Sequence, residues 1–148
     1  MTIRAELDWD GEQVLREIER ESEKALNAAA EVVRTEIVQS MPGKGSRLVT
    51  GTGGDSGIRG QYIASNPGQP PGVRKGTLRN SISNERAGRL RRTVGTNLRT
   101  KKGKYLRGEL LEYGTSKMAA RPFMGPGLSR SRDKAIKMFR STLRKALR

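Results

Sequence analysis

The sequence predicts an α+β fold: a long N-terminal helix and a C-terminal helix packed on a small antiparallel β-sheet, with a long Gly/Pro-rich arm. Three observations carry this. Apolar residues recur at steps of three and four near both ends of the chain, and they alternate with polar residues in short central runs. The stretch from 42 to 76 is dense in glycine and proline. Helices and strands in separate runs, rather than strict alternation, favour helices laid on an antiparallel sheet. With 148 residues the chain suits one domain, residues 1–148, with 42–76 a flexible arm inserted in it.

Ile3, Ala5, Leu7 and Trp9 alternate with Thr2, Arg4, Glu6 and Asp8, the period-two pattern of a strand over residues 2–9. Asp10 then stands three residues before Gln13, a cap-like start. Leu15, Ile18, Ser22, Leu26, Ala29, Val33 and Ile37 follow at helical steps, so a helix is expected from about residue 11 to Met41, stopped by Pro42-Gly43. Thr77 to Ile82 suggests a helical turn. Ser83–Ala87 and Leu90–Thr96 read as two strands around Ala87-Gly88. Asn97–Lys104 is a basic excursion with TKKGK at its tip, and Tyr105–Tyr113 a short helix closed by Gly114. Pro122 and Pro126 delimit an extended step. From Leu128 the residues Leu128, Arg132, Ala135, Ile136, Phe139, Leu143, Ala146 and Leu147 mark the last amphipathic helix.

Composition excludes several kinds of chemistry. There is no histidine, so Ser-His-Asp and Cys-His catalysis are absent, and no cysteine, so disulfides and thiolate metal sites are absent too. GTGGDSGIRG within the arm lacks the GxxxxGK[ST] spacing of a phosphate loop. Glu109 and Glu112 lie at i, i+3, but Lys104 and Arg107 nearby make ordinary ion pairing the better reading than a carboxylate dyad. No enzyme, cofactor or metal is expected. No stretch approaches the ~20 apolar residues that span a bilayer, and MTIRAELDWD lacks the basic and apolar regions of an export signal.

The chain carries a net charge of +15, unevenly spread. Residues 1–40 hold 5 basic and 10 acidic side chains, and the remainder holds 25 basic and 5 acidic. Such asymmetry attracts polyanions, and it can also fix the register of copies in a homo-oligomer. The basic residues cluster at Arg89, Arg91 and Arg92, at Arg99, Lys101, Lys102 and Lys104, and along the last helix. These are candidates to face DNA or a neighbouring subunit, with a merely solubilising surface as the alternative. Aromatics are not interleaved with them, which argues against base stacking on single strands.

Three segments together, PGQPPGVRKGTLRNSI at 67–82, RRTVGTN at 91–97 and LLEYGTSKMAARPFMGPGL at 110–128, resemble a phage family. It is that of siphovirus-type neck proteins, also described as head-tail joining or tail-completion components. The resemblance implies a non-enzymatic virion protein at the head-tail interface, assembled in the host cytoplasm. It would form a hexameric or dodecameric ring that binds an adjacent head-completion or adaptor protein and a tail-terminator or tail-tube protein, and passes genomic DNA through its lumen. Gly76, Leu78, Ser81 and Ile82 would carry the family's turn; Gly114, Thr115, Met118, Ala120, Arg121, Pro122 and Phe123 would carry its hallmark. Gly125 and Gly127 stand where members more often carry Leu or Arg and Ala, which is expected to loosen the start of the last helix. The alternative function is a small duplex-binding protein indifferent to sequence.

Overall fold

The computed structural model describes residues 10–41, 65–73 and 75–146. The expected strand at 2–9 and most of the arm lie outside this set. Helix α1 spans Gly11–Ser40, and Asp10 caps it as its spacing to Gln13 predicts: the Gln13 amide donates to Asp10 Oδ1 at 3.0 Å. Helix α2 is the single turn Thr77–Asn80, entered through Gly76 in the left-handed region at φ 74°. Strands β1, Ile82–Gly88, and β2, Arg91–Thr96, pair antiparallel. Helix α3 spans Arg107–Tyr113 and α4 spans Met124–Ala146. The α+β class, with N- and C-terminal helices and a two-stranded antiparallel sheet, is the one the sequence predicts.

An isolated hairpin is marginal in water, so this one depends on the helix it lies along. It runs back along α1. Arg34 Nε donates to the Ile82 carbonyl at 2.9 Å, Asn84 Nδ2 donates to Asn27 Oδ1 and Glu31 Oε1, Arg86 pairs with Glu23, and Arg89 with Glu19 at 2.7 Å. The turn is not at Ala87-Gly88. A register shift between Arg86 and Gly88 leaves Ala87 unpaired, and the chain reverses at Arg89-Leu90. Glu19 and Glu23 hold that reversal, because Glu23 Oε1 accepts the Leu90 amide at 2.9 Å.

On an adjacent face α1 packs antiparallel against α4, with Glu36 joined to Arg130 at 3.1 Å and to Lys134 at 3.7 Å. Two expectations for α4 are corrected. The helix begins at Met124, so Pro126 lies inside its first turn, where its missing N–H costs no helical bond. Its buried face is Gly127, Ser131 and Ala135, while Leu128 and Ile136 remain 54% and 40% exposed. Small residues decide this face because the helices approach so closely: a Cβ on Gly127 would sit 2.6 Å from Ile37 Cγ1. Gly127 therefore lets the two long helices approach closely at Ile37.

The core is eccentric. Its large fully buried apolar side chains are Ile37, Met41, Ile82 and Phe123, with Val33, Val73, Leu78, Val94, Leu111 and Met124 packed round them. All of them lie toward the C-terminal end of α1. At the other end Val14, Leu15 and Ile18 are exposed, Leu15 at 67%.

Candidate functional site

The segment Leu110–Met124 forms a staple against the core. Gly114 closes α3 at φ 76°, and a Cβ there would lie 2.8 Å from both the Met118 carbonyl oxygen and the Ala120 nitrogen. Only glycine fits. Thr115 and Met118 then exchange backbone bonds of 2.8 and 3.2 Å, and Thr115 Oγ1 accepts the Lys117 amide, which makes GTSKM a tight turn. The chain doubles back so that the Arg121 amide donates to the Leu111 carbonyl at 2.7 Å. Pro122 follows, and Phe123, with none of its surface exposed, fills the core behind α3, near Gly108.

Arg121 acts as a fold clamp. Its Nε donates to the Ser65 carbonyl at 3.0 Å, and the Gly68 amide donates to the Ala120 carbonyl at 2.9 Å. These bonds fasten the end of the arm to the staple. The other turn residues are equally structural: Ile82 is buried, Leu78 packs on the core, and Ser81 Oγ bonds the Leu78 carbonyl and Thr96 Oγ1.

Glu112 has a role that its sequence neighbours conceal. Its carboxylate accepts the amides of Phe123, Met124 and Gly125 at 2.8, 2.9 and 2.8 Å, so it caps α4. The expected pairing with Lys104 or Arg107 does not form. A carboxylate twelve residues upstream of the helix it caps leaves no local signature, which is why spacing alone missed it.

The cationic candidates divide into engaged and free groups. Arg89 is held by Glu19, Arg92 Nη1 bonds Asn84 Oδ1, and Arg99 Nη1 bonds the Gly103 carbonyl at the closed TKKGK turn. Lys104 lies over the Tyr105 ring, 5.1 Å from its centroid. Among the described residues Arg91, Lys101 and Lys102 are exposed without a side-chain partner, as are Arg132, Lys137, Arg140, Arg144 and Lys145 on α4. The structure thus does not gather the candidate cations into one patch.

A cleft of about 730 Å³ opens where α1 ends, between α2, α3 and the TKKGK turn. Met41, Val73, Leu78, Leu110, Leu111 and Met118 form an apolar floor; Lys75, Arg79, Lys101 and Arg107 stand round it, and among the described residues no carboxylate lines it. Sequence reasoning missed this cleft because its walls come from four separate stretches. Among the described residues no cluster of acidic side chains fit to hold a metal ion occurs, and no helix is long and apolar enough to cross a membrane.

Buried glycines, a clamped arginine and a capping carboxylate thus define the shape of this region. No curated protein and no solved structure matches the chain. A family model for bacteriophage HK97-gp10-like tail components does match, over residues 4–114, a region that holds α1, the hairpin and α3 and stops at the first hallmark residue. The chain belongs to the HK97-gp10-like family of bacteriophage tail components.

Proposed function

We propose that the protein is a ring-forming component of the phage neck that joins the DNA-filled head to the tail and lines a passage for DNA. The family supports a structural role in the virion. The observation that carries the finer reading is the surface: Val14, Leu15, Ile18, Leu128 and Ile136 are exposed on a chain whose core is small, as suits a subunit completed by its neighbours. Free cations at Lys102 and along α4 suit a wall beside DNA, where phosphate contacts are indifferent to sequence. Infection with phage that lacks the protein is expected to give DNA-filled heads and separate tails. Joined, infectious particles made without it would overturn the joining role.

A second reading, a monomer that binds duplex DNA by itself, rests on Lys137, Arg140 and Arg144, which are exposed at steps of three and four along α4. It predicts tight binding by the isolated monomer that falls steeply with salt. Mass measurement of the purified protein and of intact particles separates the two readings.

A further inference from the structure

We infer that the first turns of α1 dock into the basic cleft of a neighbouring copy, head to tail. The inference rests on the ring reading above and specifies its contact. Two surfaces of this chain complement each other and lie too far apart to meet within one molecule.

The first surface is the uncovered start of α1. Gly127 meets Ile37, and Glu36 pairs with Arg130 and Lys134, so in an antiparallel pair of equal rise the last described residue of α4, Ala146, stands opposite the stretch from Ile18 to Ser22. Residues 11–17 project past it. The stripe that α1 turns toward α4 and the core continues toward that end as Val14, Leu15 and Ile18, all exposed. At 100° per residue Glu17 and Glu21 flank this stripe on one side and Glu12 and Glu19 on the other. The pairs Glu12–Arg16 and Glu17–Arg20 are highly exposed, so their arginines exchange readily for other cations.

The second surface is the cleft, with an apolar floor that includes Leu110 and Leu111 and a rim of Lys75, Arg79, Lys101 and Arg107. No side chain of these four makes an ion pair or hydrogen bond among the described residues, whereas the cations facing α1 from the hairpin and α4 are matched by Glu19, Glu23 and Glu36. The cleft suits apolar side chains flanked by carboxylates. It does not suit a duplex, which presents phosphates and no apolar groups to an apolar floor. Leu15 and Met41, the C-cap, are 26 residues apart along one unbroken helix, about 39 Å, so the start of α1 cannot reach its own cleft. Using one surface for the other produces a heterologous contact, which closes into a ring when the rotation permits.

The chain has no cysteine, so a designed pair reports the contact cleanly. Leu15→Cys and Lys101→Cys both replace exposed residues, which leaves folding intact. Phage particles carrying both substitutions, oxidised and run without reductant, are expected to show a ladder of covalent multimers; either substitution alone gives no ladder. A product that stays monomeric, an intrachain closure or a covalent dimer alone overturns the head-to-tail contact. If particle mass then shows several copies per neck, the ring reading survives that failure; if the protein is missing from wild-type particles, the neck reading falls with it. Arg79→Glu with Lys101→Glu is expected to abolish incorporation, and Glu12→Lys with Glu17→Lys on the same chain to restore it; loss without restoration counts against the pairing.

Discussion

Replacing Glu112 by alanine tests whether the staple and the last helix are one unit. The carboxylate accepts three amides, of which those of Phe123 and Met124 are half-buried and that of Gly125 is exposed. Each half-buried amide left without a partner costs about 1–1.5 kcal/mol, the low end for a buried orphan donor, while the exposed amide is rehydrated at little cost. Loss of the negative charge at the N-terminus of a helix adds about 0.3–1 kcal/mol. Glu112→Ala should therefore destabilise by about 2.5–4 kcal/mol, a large share of the ~5–15 kcal/mol that holds a typical domain together. Glu112→Gln keeps one acceptor and should fall between that value and the wild type. Glu109→Ala, which alters an exposed neighbour on the same helix, should stay within about 0.5 kcal/mol. The assay is urea unfolding, with the midpoint read at constant m-value. A Glu112→Ala midpoint no lower than that of Glu109→Ala would refute the cap.

Gly127→Val forces a side chain where a Cβ already lies 2.6 Å from Ile37 Cγ1, so the two long helices must part; a loss of about 3 kcal/mol is expected in the same urea assay. Gly95→Ala, whose Cβ meets nothing within 4 Å, should change little, and equal effects would disprove the close-approach argument. Gly114→Ala combines a positive φ of 76° with backbone atoms at 2.8 Å and should cost about 3 kcal/mol or more, seen as insoluble expression or a lowered Tm. The Glu21 carboxyl is held below the ordinary glutamate range chiefly by the 2.6 Å hydrogen bond from Lys24; burial opposes this, and the charges of Lys24 and Arg20 reinforce it. A depressed folded-state value means that the stabilisation is present above the unfolded value and is lost as pH falls through the folded one. Lys24→Met should accordingly lower the midpoint slightly at neutral pH, by an amount that shrinks as pH falls below the ordinary glutamate range; a gap that does not shrink in acid assigns the effect to packing.

Helix α1 was legible because its cap, its apolar steps and its Pro-Gly stop all agree, and agreement across levels is what makes a local reading reliable. The face of α4 was not, for a definite reason. Periodicity finds the most apolar stripe, here Leu128, Ile136 and Phe139, whereas packing against α1 selects the least bulky, Gly127, Ser131 and Ala135. The same holds for the hairpin turn. Ala87-Gly88 has the right composition, yet a register shift and two carboxylates on α1 move the reversal to Arg89-Leu90. In each case the missing information belonged to a second element, distant in sequence.

The charge asymmetry shows how far a sum can be read. An acidic N-terminal stretch and a basic remainder could meet within a chain or between copies, and both answers apply to different residues. Glu19, Glu23 and Glu36 meet Arg89, Arg86 and Arg130 within the chain, all at the surface. Exposed pairs contribute only about 0–1 kcal/mol each, so their effect is to set the register of the hairpin and α4 along α1 rather than to hold the fold together. What they leave unmatched is therefore informative. The cations of the cleft, and Arg132, Lys137, Arg140, Arg144 and Lys145 on α4, pair with no carboxylate among the described residues, and a subunit that neutralises one part of its basic surplus with fitted partners has little reason to leave the rest exposed unless an anion outside the chain completes it. On α4 that anion is open to phosphate; in the cleft the apolar floor requires a partner that brings side chains as well as charge, which is the property that separates a protein neighbour from DNA.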